Sequence, residues 1–372
     1  MHQSLRVPPV EIQRRIEGLQ REMASLGVHA VLIAHRIDLL YFSGCAQNGY
    51  LYVPRGRDPV LLIRKHAPRA AMDSPLAFQA ALSSVRDIPE VLAGHGLFPP
   101  KFLGMAWDVL PVRELALFRR LIPARAHIDV SGAIHRLRAV KSAWEVERIT
   151  ESARVCKETL DHLRTRAGPG MEETLLAGLS EAFARRIGHG GGIRVRRPSE
   201  DDRSGWTACS RGVGPEGTPF TLGFRAVVNG YHAARARVYG SRRGSFPGAR
   251  TADALERFHE RVLTGASSGT RPEDLVRAAR LAAAQERQRD PHATLRWSLH
   301  GIGLELREPF QALPSSVETD RSVCLVLRSR VQTSAGLVLC LEDTLVVNAG
   351  GVRPLPIPAG PGNRDKISVP AS

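Results

Sequence analysis

Aromatic residues make up only 5% of the 372 positions, and lysine is scarce beside arginine. Missing too is any run of about 18 apolar residues, which excludes a membrane-spanning helix on length alone. The first residues lack a basic stretch followed by an apolar core, so no secretory leader is read and a cytoplasmic protein is expected. Cys45, Cys156, Cys209, Cys324 and Cys340 are scattered without Cys-x-x-Cys spacing. That pattern fits reduced thiols and predicts neither disulfides nor zinc. The net charge of +15 would attract polyanions, so nucleic acid must be weighed. No RNP-type aromatic pattern, zinc finger or basic heptad region accompanies the charge, while Arg, Ala, Gly and Pro are abundant throughout. The basicity therefore reads as the composition of a high-GC genome, and nucleic acid is not an expected partner.

What is present is enough for two domains, at this length and with 43% hydrophobic residues. Between residues 11 and 26, Ile12, Ile16, Leu19 and Met23 form one helical stripe that Gly27 stops. Val28 to Ala34 reads as a buried strand, with further strands at Tyr50 to Val53 and Pro59 to Ile63 and helices near 86 to 94 and 111 to 120. The alternation predicts an α/β domain. After a link near Ser131 to Arg138, Ser142 and Glu145 form a capping box. Val146, Ile149, Ala153, Cys156, Leu160 and Leu163 then follow at helical spacing, predicting a long amphipathic helix. The turn at Gly168 to Glu173 feeds another helix, and Arg271 to Asp274 repeats that arrangement about a hundred residues later. From Pro354 onward the chain is rich in Pro and Gly, and a frayed tail is expected.

The stretch from His300 to Pro309 reads His-Gly-Ile-Gly-Leu-Glu-Leu-Arg-Glu-Pro, close to H-G-x-G-x-x-x-H-E-x-P with Arg307 at the second His. Together with Arg138, Lys141, Glu145 and Ile149, and with Asp38 to Gly44 upstream, it resembles the creatinase/aminopeptidase P/prolidase superfamily of pita-bread proteins. In site character it is most similar to creatinase, which works without metal. The resemblance implies an α/β N-terminal domain over 1–137. It also implies an α+β pita-bread domain over 138–355 with an internal pseudo-twofold; the Pro- and Gly-rich composition predicts a flexible tail over 356–372.

Metal-binding relatives hold two ions with two Asp, one His and two Glu. The resemblance places those positions on Gly223, Ala234, His300, Arg328 and Glu342, so two of five ligands remain. A guanidinium at Arg328 repels a dication by several kcal/mol at an effective dielectric near 20, and neither metal nor cofactor is expected. With Arg307, matching the creatinase carboxylate-binding Arg, and with Arg237 as a further candidate, the pocket becomes one for an anion. Strand alternation puts His232 and Ala236 on the face of Ala234. The resemblance matches a creatinase Tyr to His232 and a guanidinium-binding Glu to Ala236. The creatinase catalytic His has no counterpart in the shortened loop Ser210 to Pro219, which argues against creatine as substrate.

Catalysis is thus expected from His300, His232 and Glu342, with substrate contacts from Arg307, Arg328, Tyr231, Glu308 and Tyr50. Tyr50 and Tyr52 read either as residues at the pocket mouth or as ordinary strand aromatics. Gly188 to Gly192 reads as a flexible loop rather than a phosphate cradle, and no sequence context activates Cys209 or Ser210. The expected function is a metal-independent, creatinase-like enzyme acting on a small anionic, carboxylate-bearing substrate, by C–N hydrolysis or by elimination or isomerisation. The alternative is a catalytically inactive pita-bread protein serving as a binding module. The resemblance also implies a homodimer.

Overall fold

The computed structural model describes residues 6–97, 99–167, 170–190, 219–239, 249–266, 271–289, 294–309, 321–332 and 338–356. Cys209, Ser210, most of the loop that lacks the His, part of the Gly188 to Gly192 stretch and nearly all of the tail lie outside them. The chain divides into two compact units, Met1–Arg138 and Ala139–Ser372.

The first unit opens with α1 (Pro9–Ser25), in which Ile12, Ile16, Leu19 and Met23 are all buried. Burying four such side chains contributes about 1.5–3 kcal/mol each, which fixes the orientation of the helix. Next come β1 (Ala30–Ile33), α2 (Arg36–Ser43), β2 (Gly49–Pro54), β3 (Val60–Ile63), α3 (Ala67–Asp73), β4 (Phe78–Ala81), α4 (Ile88–Gly94), β5 (Phe102–Met105), α5 (Val112–Leu121), β6 (Ala126–Asp129) and α6 (Ser131–Ala139). The sheet runs β4-β3-β2-β1-β5-β6. It is antiparallel around β2 and parallel elsewhere, as helical crossovers require. Tyr50 corrects one expectation. It is 8% exposed, sits in the core with Tyr52, Leu62 and Phe118, and meets Phe118 edge to face at 5.3 Å. Tyr50 and Tyr52 are buried core aromatics of this sheet.

The second unit holds β7 (Val140–Lys141), α7 (Ala143–Arg164), α8 (Glu173–Arg186), β8 (Phe220–Val228), β9 (Tyr231–Tyr239), α9 (Ala249–Gly265), α10 (Pro272–Arg289), β10 (Thr294–Gly301), β11 (Ser322–Gln332), β12 (Val338–Asn348) and β13 (Gly351–Pro354). Two helices followed by two strands occur twice in succession. The capping box forms: Ser142 Oγ accepts from Glu145 N at 3.2 Å, and Glu145 Oε2 accepts from Ser142 N at 3.1 Å. The antiparallel sheet runs β10-β11-β12-β9-β8, with β13 on β12 and β7 on β11. Asn229 and Gly230 both have positive φ, 55° and 85°, as a two-residue hairpin turn demands. That turn sets the β8–β9 register: Gly223 opposite Ala236 and Arg225 opposite Ala234.

Helices cover one face of this sheet. Phe258 and Val262 of α9 and Leu275 and Ala279 of α10 pack on Val323, Leu325, Leu327, Leu345 and Val347. Because successive strand residues point to opposite faces, Arg328, Glu342 and their even-numbered neighbours face the other way.

Candidate active site

On that other face, antiparallel register brings Arg328 opposite Glu342, Glu342 opposite Ala236 and Ala236 opposite Gly223. The adjoining row runs His300, Val326 and Thr344 on β10, β11 and β12, then Ala234 and Arg225 on β9 and β8. Thr344 joins the two halves, its Oγ1 accepting from Ala234 N and donating to Ala234 O, both at 2.9 Å. All five positions that the resemblance assigns to metal ligands therefore share one face.

The charges on it are mainly positive. Glu342, 5% exposed, accepts from Arg225 Nη2 at 3.2 Å. Arg225 was missed in the sequence, although it stands two residues from Gly223 and alternation puts both on one face. His300 is half-buried, and its pKa is pushed down to about 4 by burial first and then by the guanidiniums of Arg307, Arg225 and Arg328, against an opposing pull from Glu342. At neutral pH this imidazole is an uncharged base. His232 lies at the end of the face, its backbone N donating to Gly303 O at 2.8 Å. Its Nδ1 stands 3.2 Å from the same carbonyl. A carbonyl only accepts, so this contact calls for the Nδ1–H tautomer and leaves Nε2 with a lone pair. Burial lowers the His232 pKa, with the Gly303 carbonyl pulling it back up.

Four other assignments change. Tyr231 points to the helix side, where its hydroxyl donates to Glu145 Oε1 at 3.0 Å and its ring meets Trp144 edge to face. It lies an odd number of residues from Ala234, so the pleat turns it away from the site. Arg237 falls on that same side for the same reason and binds Asp343 at 2.6 Å. Glu308 is locked rather than substrate-facing: its carboxylate takes Lys141 Nζ at 2.7 Å, with side chains only 6% and 1% exposed. That pair also explains Gly303, since a Cβ there would lie 2.7 Å from Glu308 Oε1 and 2.9 Å from Lys141 Cε. Arg307 is exposed and acts on His300 as a nearby charge.

Residues 147–353 match metallopeptidase family M24, and residues 15–140 match the creatinase/prolidase N-terminal domain. The chain belongs to family M24, within the creatinase/aminopeptidase P/prolidase superfamily of pita-bread proteins. It is similar to an uncharacterized peptidase of Bacillus subtilis, YqhT, 21% identical over 357 residues that cover 91% of this chain and 93% of that one. An uncharacterized hydrolase/peptidase of Sinorhizobium fredii is 22% identical over 69% of this chain and 70% of its own. Among solved structures, an Xaa-Pro dipeptidase from Bacillus anthracis superposes with a TM-score of 0.79 at 18% identity, over 92% of this chain and 97% of that one. A prolidase from Pyrococcus horikoshii gives 0.76 at 16%, with the same coverage.

The family name implies a metal centre, and the residues present do not fit one. Gly223 and Ala234 offer no donor, Arg328 brings a fixed positive charge, and the Glu342 carboxylate faces Arg225. Among the described residues no group of three or more His, Cys, Asp or Glu could hold an ion.

The depressed His300 pKa has a consequence for stability. The folded chain resists protonation that the unfolded chain accepts near 6.5, so stability is full above that pH and falls as pH drops toward 4. The expected loss is roughly 2–3 kcal/mol, after allowance for the partial exposure of the ring. Urea unfolding from pH 7 to 4 should show this loss for the native chain and a flatter profile for His300→Gln; parallel profiles would show that burial and the neighbouring charges do not depress the His300 pKa.

Proposed function

We propose that the chain is an M24-family hydrolase that has exchanged the dinuclear metal centre for an anion site, and that it acts on a small carboxylate-bearing substrate at a C–N bond. The observation that carries this reading is the Arg225–Glu342 ion pair with Arg328 opposite Glu342 in the strand register, which puts two arginines and one carboxylate on the face where relatives place metal. Guanidiniums pair with carboxylates through two parallel N–H bonds, so Arg328 and Arg225 orient the substrate anion, with Arg307 adding attraction from its exposed position. A neutral imidazole then takes a proton from the attacking water: His232 through Nε2, or His300. Glu342 is the second proton-accepting group, and the leaving nitrogen receives the proton. Elimination or isomerisation would use the same base without the water. The prolidase and Xaa-Pro dipeptidase among its structural neighbours, and the peptidase-type relatives, support a hydrolytic reaction class.

A second reading, a binding module without turnover, is favoured by one observation. His300 is neutral at physiological pH and Glu342 is already ion-paired, so no imidazolium stands ready to act as acid.

Metal independence is tested directly. Protein purified without chelator should contain no stoichiometric Mn, Fe, Co or Zn, and added Mn2+ should shift neither its melting temperature nor its activity. Two tightly held ions per chain would refute the anion-site reading.

A further inference from the structure

The helix-covered side of the same strands contains a cavity of about 200 Å³ between α7, α9, β9 and β12. One water needs only about 10–15 Å³ by this measure, so the space admits a small organic molecule. Four cations line it, Lys157, Arg164, Arg235 and Arg237, against three acids, Asp161, Glu256 and Asp343. The lining carries one positive charge in excess when His259 is neutral.

The floor of the cavity is a closed network. Asp343 Oδ1 accepts from Arg237 Nη2 at 2.6 Å, and Oδ2 stands 3.1 Å from His259 Nδ1. His259 Nε2 is 2.8 Å from Ser329 Oγ. The order Ser, His, Asp is that of a hydrolytic triad, but Ser329 is fully buried and does not line the cavity, so the chain of bonds braces the floor. Arg237 also donates to the carbonyls of Ala236 at 2.8 Å and Glu342 at 3.2 Å, which ties β9 to β12. Asp343 is therefore a satisfied, permanently ionised group: burial opposes its charge, but Arg237 and His259 hold its pKa well below the usual carboxylate range.

The rim differs from the floor. Lys157 pairs with Asp161 at 2.7 Å, whereas Arg164 is exposed and forms no ion pair among the described residues. Leu160, Leu341 and the Tyr239 ring supply apolar wall, and all three are buried. An apolar body with one negative head would cover that wall and balance the excess charge.

We propose that this cavity is a second ligand site, for a small organic anion with a carboxylate or phosphate head and an apolar body. It does not depend on the reading of the Glu342 face. Benzoate serves as the probe, titrated calorimetrically into the full chain carrying Arg328→Met at constant ionic strength, so that binding on the opposite face is already weakened. Saturable millimolar or tighter binding is expected there. It should weaken at least tenfold on adding Arg164→Glu, and less than twofold on adding Arg166→Glu, which makes the same charge change just beyond the end of α7. Replacing benzoate with inorganic phosphate tells whether the apolar body contributes: phosphate binding equally well removes that part of the proposal. The site itself is overturned if no saturable binding appears in the Arg328→Met chain, or if both added substitutions weaken binding equally. Since Arg164 is exposed, its replacement leaves folding intact, and circular dichroism melts confirm it.

Discussion

Lys141→Met should destabilise the chain by about 3–5 kcal/mol, because it leaves the Glu308 carboxylate buried without its cation. Neither side chain of the pair is more than 6% exposed, and the contact is 2.7 Å, so water cannot take over from the ammonium. At about 2–4 °C per kcal/mol for a unit of this size, the melting temperature should fall by roughly 10 °C. The damage reaches the candidate site. Glu308 exchanges backbone hydrogen bonds with Gly301 at 2.9 and 3.1 Å, and Gly303 O receives both His232 N and, at its Nδ1, the His232 ring. Adding Glu308→Gln to Lys141→Met removes the stranded charge and should restore part of the loss. Equal urea midpoints for Lys141→Met and the native chain would show that the pair does not hold this loop.

The parts of the structure legible in the sequence were those governed by local rules. The stripe from Ile12 to Met23 and the Ser142–Glu145 capping box both depend on neighbours within a turn or two, and both formed as read. His300, Arg328 and Glu342 converge because the spacing of the family pattern carries the sheet register with it. The corrections share a cause as well. Tyr231 and Arg237 lie at odd distances from Ala234, so the alternation that selected His232 should have removed them. The same alternation applied to β8 finds Arg225 from Gly223. Arg307 and Glu308 sit in a loop where no period applies. Only the tertiary partner, Lys141, far away in sequence, decides that Glu308 is buried while Arg307 is exposed. Tyr50 satisfied two readings equally in the sequence, and the choice came from Phe118 on α5, which no local pattern predicts.

Arg328→Met should weaken binding of a small carboxylate on the Glu342 face by about 2–5 kcal/mol, or roughly thirtyfold to several thousandfold. Arg307→Met should cost under about 1 kcal/mol, because an exposed charge is screened by water and salt. This ordering reverses the expectation from the family resemblance, where the Arg307 position is the carboxylate binder. The reason is location: Arg328 is half-buried on β11 opposite Glu342, whereas Arg307 is exposed. The bound anion should also act on His300. Burial first and the guanidiniums second depress its pKa to about 4; neutralising the guanidiniums makes the imidazolium less unfavourable, so ligand should raise that pKa, and by linkage ligand should bind more tightly as pH falls through the window between the two values. NMR titration of the His300 ring with and without a carboxylate identified by thermal-shift screening measures the change, and calorimetry measures the affinities. A His300 pKa unmoved by a ligand that binds, or a larger loss from Arg307→Met than from Arg328→Met, would place the anion away from Arg328. If His300→Ala and His232→Phe leave activity intact while Arg328→Met abolishes it, the face binds an anion without performing chemistry on it.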